Sequence, residues 1–170
     1  MTIEYLADRR NFIPTIAHWL HEEWGHLRPN ETLDNRIARV ERACGHHKIP
    51  TTFVAVDDRA QPVGCASLVE LDMLTRPELS PWLAGVFVVQ EHRGRGIGAA
   101  LIERVVQEAK SLGVPRLYLY TPGSGGLYLR LGWSVIEHTF YRELWGETPV
   151  TIMEFTTRDF NNVTAGVSVL

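Results

Sequence analysis

The chain has 170 residues, 45% of them hydrophobic, and carries a formal net charge of −3 at pH 7. That is enough apolar material for one well-buried domain and too little length for two. The mildly acidic balance, with no block or face of like charge, argues against nucleic acid as the main partner, and no apolar run is long enough to span a membrane.

Residues 2–6 alternate apolar and polar side chains and predict a first strand. From Asn11 to Trp24, the side chains of Phe12, Ile16, Trp19 and Leu20 share one helical face, and the helix ends near Gly25. Thr32 is the expected cap of a second helix running to Cys44, with Leu33, Ile37 and Val40 inward and Gly45 as its stop. Thr52 to Val56 reads as a short strand closed by Asp57-Asp58-Arg59, and Val63 to Leu71 as its hairpin partner. Pro77 and Pro81 make Asp72 to Trp82 a loop. A buried strand, Val86 to Val89, then leads through a basic, glycine-rich turn into an amphipathic helix with Ile97, Leu101, Val105 and Leu112 at helical spacing. Arg116 to Tyr120 predicts the next strand. Thr121 and Pro122 read as cap and first turn of a short helix ending at Gly132, and residues 133–142 and 148–156 as a closing hairpin. With no repeat and no linker composition, the expected organisation is one domain over residues 1–156 and a C-terminal tail over 157–170.

Met1-Thr2-Ile3-Glu4-Tyr5 lacks the charged-then-apolar order of a signal peptide, and Cys44 and Cys65 are too few for a disulfide framework. A cytoplasmic protein with two reduced, buried thiols is expected. His18, His21 and Glu22 share a helical turn and Cys44 precedes His46-His47, but neither set has a recognised ligand spacing, so no metal site is expected.

The most informative segment is Gln90-Glu91-His92-Arg93-Gly94-Arg95-Gly96-Ile97-Gly98-Ala99. A helix start leaves backbone N–H groups unpaired and carries partial positive charge, which favours a phosphate. Gly94, Gly96 and Gly98 remove the side chains that would hold an anion off the backbone, and Arg93 and Arg95 add charge at the rim. A nucleotide P-loop would end in Gly-Lys-Ser/Thr, whereas Gly98 is followed by Ala99. The dinucleotide pattern is formally met by Gly94, Gly96 and Ala99, but the strand ending in Thr121-Pro122-Gly123 lacks the ribose-binding acid.

Arg93-Gly94-Arg95-Gly96-Ile97-Gly98 matches the R/Q-x-x-G-x-G/A signature of the GNAT superfamily of N-acetyltransferases, and the chain resembles that superfamily. Leu127-Tyr128-Leu129-Arg130-Leu131-Gly132-Trp133 is similar to its Tyr-x-x-x-Gly-aromatic segment, and the likeness covers residues 84–142, with the N-terminal third matching in layout only. The resemblance implies a single-domain α/β fold (α+β in some schemes): a mixed, mostly antiparallel sheet with one splayed parallel strand pair, flanked by helices. It implies acetyl-CoA as co-substrate, held between Val86–Val89 and Arg116–Tyr120 with no metal. The pantetheine arm would pair with the backbone of Phe87 and Val88, an N–H near Val88 would hold the thioester oxygen, and the pyrophosphate would sit on the N–H groups from Arg93 to Ala99, including Ile97. Tyr128 occupies the position of the tyrosine that many relatives place beside the sulfur, where a phenol donates a proton to the departing thiolate. Thr121 stands where the family often has asparagine.

The implied activity is transfer of an acetyl group to a primary amine, a small molecule or a peptide N-terminus. A catalytically silent acetyl-CoA-binding regulatory module is the alternative, separable by turnover. The resemblance points to three segments for the acceptor, Trp24 to Asn30, Asp72 to Trp82 and Phe140 to Glu147. Asp72, Glu78 and Glu143 with Trp24, Trp82, Tyr141 and Trp145 suit a cationic amine with an apolar body, a description that a protein N-terminus, a polyamine, an amino acid or an aminoglycoside all satisfy. Glu22, Glu23, His26, Glu70 and Asp72 are the candidate bases. A monomer or homodimer is expected.

Overall fold

The structure is a computed structural model that describes residues 1–28, 30–143 and 146–157, with backbone alone at 142, 143, 146 and 147. Strand β1 (Thr2–Tyr5) leads through a 3-10 segment, Leu6–Phe12, into helix α1 (Ile13–Trp24). A short 3-10 turn, Gly25–Leu27, precedes helix α2 (Leu33–Arg42), whose N-cap Thr32 accepts from the Asn35 N–H at 3.2 Å. Strands β2 (Thr51–Val56), β3 (Pro62–Val69) and β4 (Trp82–Val88) come next, then helix α3 (Ile97–Ser111), strand β5 (Arg116–Thr121), helix α4 (Gly126–Arg130) and the hairpin β6 (Ser134–Glu143) and β7 (Gly146–Thr156). No helix among the described residues is long and apolar enough to cross a membrane.

All seven strands form one sheet in the order β1-β2-β3-β4-β5-β7-β6, antiparallel throughout except for β4 and β5, which are parallel. The alternation of side chains along β2 divides the core between its two faces. Phe53 and Ala55 pack with Leu101, Ile102 and Val105 of α3, while Val54 and Val56 pack with Ile16, Ala17 and Leu20 of α1 and Val40 of α2. Covered on both sides, β2 is buried at every residue, which is why Phe53 to Val56 reads as an apolar run without alternation. Each such aliphatic side chain contributes about 1.5–3 kcal/mol through burial. A third cluster, Met73, Trp82, Tyr141, Val150 and Ile152, closes the end of the sheet where β4 and β5 meet.

Several boundaries move from those the sequence predicts. The expected first strand gives way at Leu6 to a 3-10 segment, and α1 starts at Ile13 rather than Asn11. Helix α2 ends at Arg42, two residues before Cys44, and its inward face differs: Arg36 and Val40 are buried, Ile37 is half-buried and Leu33 is exposed. Strand β3 stops at Val69, and β4 begins at Trp82, inside the predicted loop, because Pro81 sits just ahead of the strand and supplies only a carbonyl, which accepts from the Tyr118 N–H at 3.0 Å. Thr121 and Pro122 do not cap α4. Thr121 ends β5, and the helix starts four residues past Pro122 behind Gly125, which takes the left-handed conformation (φ +65°). Cys65 is buried and Cys44 half-buried, both free. Thr157 is bonded through its N–H to Pro115 O at 3.0 Å, and the rest of the expected tail, 158–170, lies outside the described residues.

Candidate active site

The site begins with a local irregularity. Between β3 and β4 the pairing runs Gly64↔Val88 and Cys65↔Phe87, then resumes as Ser67↔Ala84, so β4 carries one extra residue opposite Ala66. Gly85, at φ +59°, absorbs the bulge in a conformation that side-chain-bearing residues seldom adopt. A bulge bends its strand, and β4 leaves β5 after a single bridge, Trp82↔Tyr118. Past that bridge the two strands diverge and a cleft of about 760 Å³ opens between them, lined by Leu83 to Val86 on one side and Leu119 to Thr121 on the other.

Register decides which backbone groups are available for a ligand. The Val89 N–H donates to Val63 O at 3.0 Å, so residues 87 and 89 face β3 and Val88 faces away from it, toward the cleft side. Phe87, expected to pair with a ligand through its backbone, is therefore turned toward Cys65, and its ring stacks on Trp19 at 5.4 Å between centroids. Val88 alone of the expected pair presents its N–H away from the ladder.

The glycine-rich turn takes the form a cradle requires. Gly94 (φ +75°) and Gly96 (φ +78°) are both left-handed, and a Cβ built on either meets nothing within 4 Å. Gly96 is the N-cap of α3; no side chain caps the helix, so its first N–H groups stay open to an anion. Ile97 is buried and anchors the first turn, while Gly98 lies 3.9 Å from Val88 Cγ2 at the position a Cβ would take, and Ala99 follows on the same turn. Arg95 is exposed. Arg93 is partly committed elsewhere: its Nε donates to Val88 O at 2.9 Å and its guanidinium lies 5.8 Å from the Phe87 ring centroid, bracing the end of β4.

Tyr128, on α4, reaches the same cleft from the β5 side. Its ring meets Trp133 edge-on at 6.2 Å, and its hydroxyl has no hydrogen-bond partner among the described residues. Burial holds the phenol above the ordinary tyrosine pKa, so the group stays protonated and able to donate. Thr121 also lines the cleft, with its hydroxyl directed at Pro122 O, 3.3 Å away.

Among the expected acceptor-side residues, Trp24 and Asp72 line the cleft, and so does Tyr141. Glu78 is exposed and does not line it. Trp82 is fully buried beneath the site: its Nε1 donates to Leu79 O at 2.6 Å and its ring packs against Tyr118 and Tyr120, so it supports the wall rather than meeting a ligand. The Glu143 side chain and Trp145 lie outside the described residues. Of the candidate bases, Glu23, His26 and Asp72 line the cleft; Glu70 is exposed away from it and Glu22 pairs with His18 at 3.2 Å.

A group of charges that the sequence pattern does not single out completes the cleft. Arg28, Arg36 and Arg39 line the cleft from the segment between α1 and α2 and from α2 itself. Arg36 and Arg39 hold Glu31 between them, each at 2.6 Å from a different carboxylate oxygen, and the Glu31 side chain is only 2% exposed. The available signal was the stripe Arg36, Arg39, Val40, Ala43 at helical spacing, which an apolar count assigns to solvent.

The profile of the acetyltransferase (GNAT) family matches residues 13–133, well over half the chain. Among curated proteins none is similar enough in sequence to count as a relative. Solved structures share the fold at low identity. A spermidine N-acetyltransferase from Vibrio cholerae, in complex with CoA and spermine, superposes with a TM-score of 0.69 at 20% identity, over 92% of this chain and 95% of that one. An N-acetyltransferase from Staphylococcus aureus Mu50 gives 0.70 at 18%, over 92% and 98%. A dodecameric spermidine N-acetyltransferase from Vibrio cholerae gives 0.68 at 20%, over 96% and 98%. The protein is thus an acyltransferase by class. It belongs to the GNAT acetyltransferase family.

Proposed function

We propose that the protein moves the acetyl group of acetyl-CoA to a primary amine by direct attack. The observation that carries this reading is a splayed strand pair whose cleft takes in Tyr128, its hydroxyl protonated and without a hydrogen-bond partner among the described residues, with the outward N–H of Val88 and a helix start that no side chain caps farther along β4 and the turn after it. The N–H groups at the start of α3 bind the pyrophosphate, with Arg95 at the rim. An extended pantetheine arm then lies along β4, and the Val88 N–H stabilises the thioester oxygen as negative charge grows on it. The amine nitrogen attacks the carbonyl carbon, a C–N bond forms, the C–S bond breaks, and Tyr128 supplies the proton that neutralises the thiolate. The ammonium proton leaves through a base drawn from Glu23, His26 and Asp72, directly or through water. A cytoplasmic location and a monomeric or dimeric state are expected; a dodecamer stands among the similar structures, and light scattering of the purified protein decides the assembly.

The test is a panel of primary amines and peptides incubated with acetyl-CoA, read as free thiol, with product mass showing the added acetyl group. Binding of acetyl-CoA without turnover on any amine would replace this reading with that of a silent cofactor-binding module.

A further inference from the structure

The cleft carries cations as well as acids: Glu23 and Asp72 line it, and so does a cluster of arginines. Three guanidinium groups, Arg28, Arg36 and Arg39, line it, and the carboxylate among them, that of Glu31, belongs to a side chain 2% exposed and is spent on two of the three. Arg36 has a side chain only 9% exposed, and its Nε is buried with no hydrogen-bond partner among the described residues; Arg39 Nη1 is in the same condition. The Arg28 side chain makes no hydrogen bond or ion pair among the described residues. Buried donors left unmatched are costly, and a buried cation without its own counter-ion more so. Burial lowers the pKa of both Arg36 and Arg39; Arg28 lowers them further and Glu31 alone opposes it, the pattern of a cluster short of negative charge.

Resting on the acetyl-transfer reading above, we propose that the acceptor is an aminocarboxylate: a primary amine whose carboxylate is held by Arg28, Arg36 and Arg39 while its amino group reaches the thioester near Tyr128. A planar two-oxygen anion matches the paired N–H donors of a guanidinium, and its charge supplies what Glu31 leaves unmet. None of the cradle residues 93–99 lines this cleft, so the arginines are separate from the helix start that takes the cofactor phosphates. Val40, Tyr141 and Leu20 along the same walls give the acceptor an apolar body between its two charged ends.

The experiment compares acceptors with matched amines and different far ends: glycine and β-alanine, glycinamide and β-alaninamide, putrescine and spermidine, phosphoethanolamine, glutamate, and peptides beginning with Asp or with Ala. The expected result is the highest kcat/KM for the carboxylate-bearing amines. Free amino acids ahead of acidic peptides, or the reverse, tells which source supplies the carboxylate. Arg28→Ala is the main variant because Arg28 supports no described ion pair; it raises KM for the best aminocarboxylate by about 10–100-fold, the worth of a charge-assisted hydrogen bond, with acetyl-CoA affinity unchanged. Arg28→Glu is the second variant and shifts preference toward the amides and cationic amines; circular dichroism melts verify that both fold. Equal or better use of polyamines or phosphoethanolamine, or a preference untouched by Arg28→Ala, overturns the proposal while leaving the acetyltransferase reading intact. No acetylation of any amine overturns that reading instead.

Discussion

Replacing Gly96 with aspartate separates the cradle from the fold. Gly96 is left-handed at φ +78°, and its added Cβ meets nothing within 4 Å, so the substitution brings backbone strain without a clash. Strain of this kind costs about 1–2 kcal/mol, and less for aspartate than for most residues, so the protein stays folded. The effect on a phosphate is larger. The carboxylate sits at the N-cap of α3 and occupies the N–H groups the pyrophosphate needs. Repulsion at an exposed site costs about 1 kcal/mol per charge pair at 4 Å, and displacing one charge-assisted hydrogen bond adds about 1.5–3 kcal/mol. Together these predict a loss of acetyl-CoA affinity of about 100-fold or more. Calorimetric titration measures it, with two controls. Gly96→Ala carries the backbone strain without the charge and loses less than about tenfold. Acetyl-pantetheine, which has no pyrophosphate, binds Gly96→Asp and the parent equally. A folded Gly96→Asp protein that binds acetyl-CoA within about threefold of the parent refutes the assignment of this helix start to phosphate.

Tyr128→Phe keeps the ring against Trp133 and removes only the donor; kcat in the amine assay falls by about 10²-fold with acetyl-CoA binding retained. Because burial raises the Tyr128 pKa, its proton is in place below the ordinary tyrosine value of about 10 and is lost only as pH climbs through the higher folded value. A kcat–pH profile should therefore show no alkaline limb below pH 10 that disappears in Tyr128→Phe. Glu31→Gln removes the negative charge between Arg36 and Arg39 and lowers stability by about 2 kcal/mol in a urea melt, less than a fully buried pair because Arg39 is 38% exposed; an unchanged midpoint would show that the pair is not holding α2. Gly64→Ala puts a Cβ 2.7 Å from Phe87 O, so β3 and β4 must part; the expected cost of about 1–3 kcal/mol exceeds the 0.5–1 kcal/mol gained by replacing a strand glycine, as a midpoint shift will show.

What was readable in the sequence is what depends on nearest neighbours along the chain. The cradle needs Gly94, Gly96 and a helix starting at Ile97, all within four residues, and its pattern survives translation into structure. The cap at Thr32 is equally local. The cleft itself was not readable from periodicity, because the bulge at Gly85 exists only by virtue of its register against Ala66, and the splay of β4 from β5 follows from that bulge. Trp82 looked like a loop residue beside Pro81, yet an X-Pro segment is a tolerable lead-in to a strand whose first partner uses the proline carbonyl. The resemblance puts Phe87 beside Val88 against the ligand, and a strand read without its neighbours does not reveal which edge is paired; the Val89 bond to Val63 turns Phe87 toward β3. The arginines on α2 were overlooked because sequence periodicity weighs apolar side chains, and here a buried face is built from two cations around one hidden acid.

The single bridge between Trp82 and Tyr118 makes this sheet two sheets stapled at one end. One half, β1 to β4, closes its ladder without help from the other, and so does β5 with β7 and β6. Along the staple's open side no further bridge joins β4 to β5 among the described residues, so an edge that would ordinarily invite aggregation is kept inside the molecule. On the acetyl-transfer reading, a narrow, extended guest entering that gap would hydrogen-bond to both borders and act like a zip. Its free energy of binding is then also free energy of cohesion between the halves. Amide protons of β5 should report occupancy more sharply than those of β2, and the domain should come apart first along the line where it works.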